Sequence, residues 1–301
     1  MKKLVVISLD ALGSADLAGD LTDYPTLRWA IQEGTHVEQV EPIYPSLTYP
    51  SHTTIMTGVF PNKHGIINNT KLQVNRKSPD WYWYAKDIQV PTLFDVARNA
   101  GLKTAAFLWP VSARAKINYN IAEIFPNRIW TNQALTSLQA SSPWFLLQMN
   151  HRYGAIRQGI KQPYLDQFVT ACAVDTLKNK QPDLMAIHLV DLDSMRHEYG
   201  VNSVEANVAK RRLDQHVSKI IKAAKAVGTF DDTVFILLGD HYQINVHSLI
   251  RVNYLFAKKG WLSVNSSGNV KADWDVYCKS CDGSAYIYLN PKSSISMNEV
   301  Y

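Results

Sequence analysis

Leu4-Val5-Val6-Ile7-Ser8-Leu9, closed by Asp10, decides the fold. A nearly continuous apolar run of this length suits a strand covered on both faces, and such strands belong to parallel sheets. The pattern returns at Leu184–Val190, followed by Asp193 and His197, and at Thr233–Leu238, followed by Asp240 and His241. In an open α/β sheet, ligands bind outside the carboxyl ends of the strands, so these acids and histidines are expected to converge. Carboxylate together with imidazole is a donor set for a hard-to-borderline divalent metal. Between the first and second signals, Pro45-Ser46-Leu47-Thr48-Tyr49-Pro50-Ser51-His52 places a hydroxyl nucleophile between two prolines. The residues read as a metal-dependent hydrolase with a threonine nucleophile.

Helical patterns alternate with these strands. Pro25–Glu33 opens with proline and stops at Gly34, and Pro91–Gly101 repeats that logic with apolar spacings of three and four. Thr104–Leu108 reads as another strand. Ser203–Val227 is the clearest helix, with Leu213, Val217, Ile220, Ile221 and Ala224 on one face and Lys and Arg on the other. The denser basic patch, Lys210-Arg211-Arg212, reads as the solvated side of that helix. Ser284–Leu289 reads as a late antiparallel strand. Alternation of this kind predicts an α/β fold with a mainly parallel sheet covered on both sides. Asn68–Lys86, with Trp81-Tyr82-Trp83-Tyr84, and the stretch from Ala113 to Gln162 break the rhythm. Both are read as cap-like insertions roofing the strand-end cleft, with 113–162 the main candidate, inside a single domain spanning 1–301.

At 301 residues the chain can bury a large core, and no segment approaches the ~20 apolar residues of a membrane span. The apolar start ends at Asp10 without a small-residue cleavage site, so it is read as a strand rather than a leader, and the expected location is cytoplasmic. A net charge of +5 is mild; it favours anionic substrates but gives little support for binding a nucleic-acid polymer or a membrane. Three cysteines are too few for a disulfide framework, and Cys278-x-x-Cys281 has no second pair, so it reads as reduced thiols. His52 and His64 read as supports of the nucleophile loop, and His188 as a core histidine.

Competing α/β readings lack their central element. No Gly-x-Gly-x-x-Gly follows the first strand, where Asp10-Ala11-Leu12-Gly13 stands, and neither a phosphate-binding Gly-Lys-Ser/Thr loop nor a Gly-x-Ser-x-Gly elbow occurs. The block Tyr44–His52, continuing through Thr57-Gly58-Val59-Phe60-Pro61-Asn62-Lys63-His64-Gly65-Ile66, resembles the nucleotide pyrophosphatase/phosphodiesterase family of the alkaline phosphatase superfamily. Leu9-Asp10-Ala11, Asp193-Ser194-Met195-Arg196-His197 and Gly239-Asp240-His241 match that family's metal motifs in the same order.

The resemblance implies an alkaline-phosphatase-like three-layer α/β/α sandwich and two divalent metal ions, zinc in the family. It implies that Thr48 is the nucleophile and forms a phospho-threonine. It further implies that Asp10, Thr48, Asp240 and His241 hold one metal, and that Asp193 and His197 hold the other. Ser51 stands where the family places an asparagine that donates to a phosphoryl oxygen, and Tyr242 where it places glycine. The family's second metal also takes a histidine from a C-terminal segment, whereas this chain has none after His247. The expectation is therefore a domain lacking that segment, with an incomplete second site. The expected substrate is a small phosphodiester or nucleotide. Two alternatives stay open: phosphomonoester or phosphonate hydrolysis on the same metals, and a weakly active relative that only binds nucleotides. Oligomeric state is not legible.

Overall fold

The computed structural model describes residues 2–128 and 131–300. The apolar runs form β1 (Lys3–Leu9), β2 (Thr104–Phe107), β3 (Tyr119–Ile121), β4 (Leu184–Leu189) and β5 (Thr233–Leu238). These make one sheet in the order β3-β2-β4-β1-β5, with every pairing parallel. The central position of β1 explains its continuous apolarity: it has a strand on each side and helices above and below. Its register, Leu9 beside Leu189 and Ser8 beside Leu238, brings the carboxyl ends of β1, β4 and β5 level.

Alternate residues of β1 serve two cores. Val5, Ile7 and Leu9 join Phe107, Ile187 and Leu189 under Leu27, Phe168, Leu213 and Val217, which come from helices Pro25–Glu33, Tyr164–Asn179 and Val204–Ala226. On the other side Val6, Ala106 and Ala186 pack against Met56, Phe94 and Ala97 from helices Thr48–Thr57 and Leu93–Asn99. This is the α/β/α sandwich with a parallel centre. The helix boundaries follow local chemistry: Pro25 begins its helix, Thr92 and Asp95 cap each other's backbone, and the Ser203 hydroxyl accepts from the Ala206 N–H.

Residues 113–162, expected to form a cap, instead build an edge of the sandwich; 129 and 130 lie outside the described residues. Tyr119–Ile121 pairs with β2, and helix Pro143–Tyr153 sends Phe145, Leu146 and Met149 into the main core. A strand of only three residues shows no usable alternation, which is why the sequence pattern suggested an insertion.

The chain was read as one domain, but its contacts form two compact units: residues 1–67 with 83–245, and residues 68–82 with 246–301. In the second unit, β6 (Val276–Ser280) and β7 (Ala285–Leu289) form an antiparallel hairpin, as expected for the late strand. Phe256, Leu262, Val276 and Cys278 form its core. Asn253 clamps the Cys278 backbone with two 2.8 Å bonds, and Asn68 donates to the Ser280 carbonyl and the Cys281 thiol. Burial raises the pKa of both Cys278 and Cys281, so they remain thiols rather than thiolates. Among the described residues no helix is long and apolar enough to cross a membrane.

Candidate active site

The level carboxyl ends of β1, β4 and β5 set the site. Asp10 directly follows β1, with its N–H bonded to the Leu189 carbonyl at 2.9 Å. Ala11 then adopts a left-handed φ of 63°, and its N–H donates to Asp240 Oδ1 at 3.2 Å, tying the end of β1 to the end of β5. That approach needs Gly239: a Cβ there would lie 1.8 Å from the Leu12 carbonyl oxygen. Thr48 is the first residue of its helix, where Pro50 fits because first-turn N–H groups have no partner within the helix.

Around His241 Nε2 stand Thr48 Oγ1 at 3.1 Å, Asp10 Oδ1 at 3.3 Å and Asp240 Oδ2 at 3.5 Å. Asp10 Oδ1 and Asp240 Oδ2 are buried and have no hydrogen-bond partner. Buried carboxylate oxygens left this way are costly unless a cation meets them. Burial and the neighbouring Asp10 raise the Asp240 pKa. Burial alone would lower His241, yet Asp240, Asp10 and Asp193 together raise it. Such crowded acids attract positive charge, so this donor set fits a divalent ion.

Asp193 also reaches this centre. Asp10, Asp193 and His241 each offer a ligand atom within 4.8 Å of the others. His197 Nε2 lies 3.4 Å from Asp193 Oδ1, with its side chain 67% exposed. The expected residues are thus brought together, with His197 on the solvent side. Ser51 Oγ, three residues along the helix from Thr48, is buried without a partner. Tyr242, where the resembled family places glycine, lies outside the left-handed region of backbone space. Its ring lies where a Cβ on Gly13 would meet it at 2.4 Å, and the Arg196 guanidinium sits 4.9 Å above it.

Several supports escaped the sequence reading. His188 is more than a core histidine: its Nε2 lies 2.9 Å from Asp10 Oδ2 and its Nδ1 lies 3.0 Å from the Leu108 carbonyl. Both ring nitrogens face acceptors, so both must donate and the ring is cationic. Burial opposes that charge, but Asp10 and Glu123 raise its pKa well above the usual value. This contact fixes Asp10 Oδ2 and leaves Oδ1 for the centre, a familiar outer-shell arrangement. The available signal was parity: His188 shares a strand face with Ala186, which packs under the Thr48 helix.

His52 Nδ1 donates to the Thr48 carbonyl at 2.7 Å and faces Asp240 Oδ2 at 3.4 Å. Burial and the neighbouring His188 push its pKa down to about 3. His64 Nδ1 accepts the Ile66 N–H at 3.1 Å, and its Nε2 lies 3.0 Å from Thr54 Oγ1.

Helix Asp191–Tyr199 is aimed by charges the sequence had placed elsewhere. Asp166 accepts the N–H groups of Val190 and Asp191, each at 2.9 Å, and Arg212 binds Asp191 with both Nε and Nη2. Lys210-Arg211-Arg212 is therefore not the free solvated patch it was read to be, since Lys210 also reaches Asp16 and Arg211 pairs with Asp23.

The family model described as type I phosphodiesterase / nucleotide pyrophosphatase matches residues 4–301. Human ectonucleotide pyrophosphatase/phosphodiesterase family member 1 is 27% identical over 219 residues, covering 69% of this chain and 20% of its own. Venom phosphodiesterase 2 of Crotalus adamanteus is 26% identical over 249 residues, covering 79% and 26%. The chain thus spans about a quarter or less of these relatives' length. The solved human ectonucleotide pyrophosphatase/phosphodiesterase 5 shares the fold, with a TM-score of 0.64 and 18% identity over 96% of this chain and 66% of that one. With a match that begins in the first strand and runs through the whole constellation to the chain's end, the protein belongs to the type I phosphodiesterase/nucleotide pyrophosphatase family, within the alkaline-phosphatase-like superfamily.

Proposed function

We propose that the chain hydrolyses phosphodiester or pyrophosphate bonds of nucleotide-like substrates, with Thr48 as the nucleophile. One observation carries this reading. The Thr48 hydroxyl stands 3.1 Å from an imidazole nitrogen that also faces two buried, unpaired carboxylate oxygens. Asp10, Thr48, Asp240 and His241 would hold one divalent ion, and Asp193 and His197 a second, zinc in this reading; bound there, such ions would supply Lewis acidity toward the hydroxyl and the phosphoryl charge.

The chain's own groups do the rest. Thr48 Oγ bonds to phosphorus as the bond to the leaving oxygen breaks. Water then bonds to phosphorus as the Oγ–P bond breaks, restoring the hydroxyl. The Thr48 N–H, at the start of helix Thr48–Thr57, has no helical acceptor and suits a phosphoryl oxygen, whereas Pro50 has no N–H and the Ser51 N–H is taken by the Leu47 carbonyl. Ser51 Oγ, buried and unpaired, is an additional donor one turn on. His52 holds the Thr48 carbonyl, and His188 holds Asp10, so nucleophile and carboxylate are oriented before substrate arrives.

A diester suits the site better than a monoester, whose second non-bridging charge calls for a free cation. Arg196 is committed to Asp16 and to the Ala11 and Val201 carbonyls, and Arg212 to Asp191. The relatives' names specify nucleotide pyrophosphatase or phosphodiesterase activity, and a solved murine ectonucleotide pyrophosphatase/phosphodiesterase 5 is described in complex with AMP. Both support a nucleotide-like substrate. Rates on thymidine monophosphate p-nitrophenyl ester and on p-nitrophenyl phosphate, with added zinc, test the reading against Thr48→Ala. The diester should be preferred, and Thr48→Ala should lose at least about 10³-fold in kcat. Rates equal to the Thr48→Ala background would leave only the nucleotide-binding alternative.

A further inference from the structure

A cavity of about 420 Å3 opens beside the Thr48 helix, lined by residues of the first unit. His52 and Trp109 line it, and both are fully buried, at 0% and 1% exposure. His52 Nε2 and Trp109 Nε1 have no hydrogen-bond partner. Two unpaired polar atoms on adjacent rings, with centroids 4.8 Å apart, are an expensive feature for a core to keep. His52 Nδ1 is occupied by the Thr48 carbonyl, so Nε2 is the nitrogen left over. Trp109 can only donate. A hydroxyl satisfies both, because it accepts from the indole and exchanges a hydrogen bond with imidazole in either of its protonation states.

The rest of the lining constrains the molecule that would carry this hydroxyl. Met56, Phe94, Val90 and Ile88 supply apolar walls. Lys86, Arg98, Arg114 and Lys116 line the cavity and are exposed, which puts them at its mouth. The acid among the lining residues, Asp95, is consumed in capping, since its carboxylate accepts from the Thr92 N–H and hydroxyl. The mouth is therefore cationic. The segment connecting the two ends of the cavity also carries conformational cost: Leu108, Val111 and Arg114 have φ of 49°, 58° and 60°. For a β-branched residue such as Val111 this is an outlier that surrounding structure must hold in place.

We propose that this cavity is a second ligand site, separate from the Thr48 centre, for a compact amphipathic anion with a hydroxyl at one end, an apolar body and an acid group at the other. A hydroxyaryl carboxylate has these features. Its hydroxyl meets His52 and Trp109, its ring lies among Met56, Phe94 and Val90, and its carboxylate faces Arg98 and Lys116. The assignment stands apart from the hydrolase reading, because it requires no catalysis.

Calorimetric titration of the chain with 4-hydroxyphenylacetate tests it directly. Saturable binding is expected at one per chain. Phenylacetate, lacking the hydroxyl, and 2-(4-hydroxyphenyl)ethanol, lacking the acid, should each bind at least about tenfold more weakly. Trp109→Phe removes the indole N–H together with part of the ring and should cost at least a similar factor. Because a buried tryptophan variant can fail to fold, the exposed Arg98→Gln provides an independent arm and should weaken the anion but not the alcohol. That selectivity would also separate the cavity from a carboxylate taken up by a cation at Asp10 and Asp240. No saturable heat up to about 10 mM, equal affinity for all three probes, or no effect of either variant would overturn the proposal. So would a structure of the protein with 4-hydroxyphenylacetate in which one water bridges His52 and Trp109 and the probe lies elsewhere.

Discussion

Gly239→Ala puts the joint between β1 and β5 under direct strain. The added Cβ would lie 1.8 Å from the Leu12 carbonyl oxygen, where ordinary contact begins at 3.4 Å, so the two backbones must part by about 1.6 Å. Neither side yields easily. Leu12 belongs to the turn closed by its N–H on the Leu9 carbonyl, and Gly239 leaves a strand whose register with β1 runs up to Ser8 and Leu238. The displacement falls on the next residues, Asp240 and His241, and on the 3.2 Å bond from Ala11 to Asp240. Misplacing reacting groups by about 1 Å costs on the order of 10²-fold, so turnover should fall by at least that factor. Overpacking of this kind should also cost about 1–3 kcal/mol of stability. Gly58→Ala is the matched control: Gly58 has φ +70° and nothing within 4 Å of a new Cβ. It should cost about 1 kcal/mol of backbone strain and leave the site alone. Urea denaturation, zinc titration and hydrolysis of thymidine monophosphate p-nitrophenyl ester would be compared for the two variants. Turnover and zinc affinity in Gly239→Ala within about twofold of the unmodified chain would refute the idea that this backbone approach positions Asp240 and His241.

Other consequences can be measured separately. Asp193→Asn should weaken zinc binding by about 100-fold, from a share of about 3 kcal/mol per ligand, whereas the 67% exposed His197 should matter less as His197→Asn; equal losses in competitive zinc titrations would contradict the geometry. Asp166→Ala strands the Val190 and Asp191 N–H groups, for a loss of about 2–4 kcal/mol in urea denaturation; a change below about 0.5 kcal/mol would rule out this cap as the anchor of the helix. Burial depresses the His216 pKa from 6.5 to about 4, so it is neutral in the fold. Its stabilising contribution is present above pH 6.5 and is lost as pH falls toward 4, a change of about 3 kcal/mol at most. Denaturation midpoints across that range should fall more steeply in the unmodified chain than in His216→Gln, and parallel curves would contradict this assignment.

Sequence legibility followed the range over which each signal acts. Pro25, Gly34, Pro91 and Ser203 act within one helical turn, and the boundaries they mark agree with the observed helices to within about two residues. The apolar runs of β1 and β4 were legible for a different reason, since burial on both faces removes the polar alternation of a half-exposed strand, whereas β5, at the sheet edge, keeps an apolar run although Val234 and Ile236 are exposed. The three strand ends could be placed together because a parallel sheet turns distant carboxyl termini into one edge. That topological rule specifies an edge but gives no pairwise partner. His188 and Asp10 are 178 residues apart, and their contact depends on β4 lying beside β1, with His188 on the face toward the Thr48 helix. Strand β3 had the converse difficulty, because three residues at an edge are too few to show a period. Segment 68–82 was hidden more deeply still, for its grouping with residues 246–301 crosses most of the chain. Asp191 and Arg212 illustrate the remaining limit: sequence supplies both charges, but only the packing of two helices turns an apparent surface cation into the anchor of a buried acid. The residues presented at the strand ends were therefore readable, while the groups holding them in register were not, because those groups act through contacts between elements rather than patterns within one.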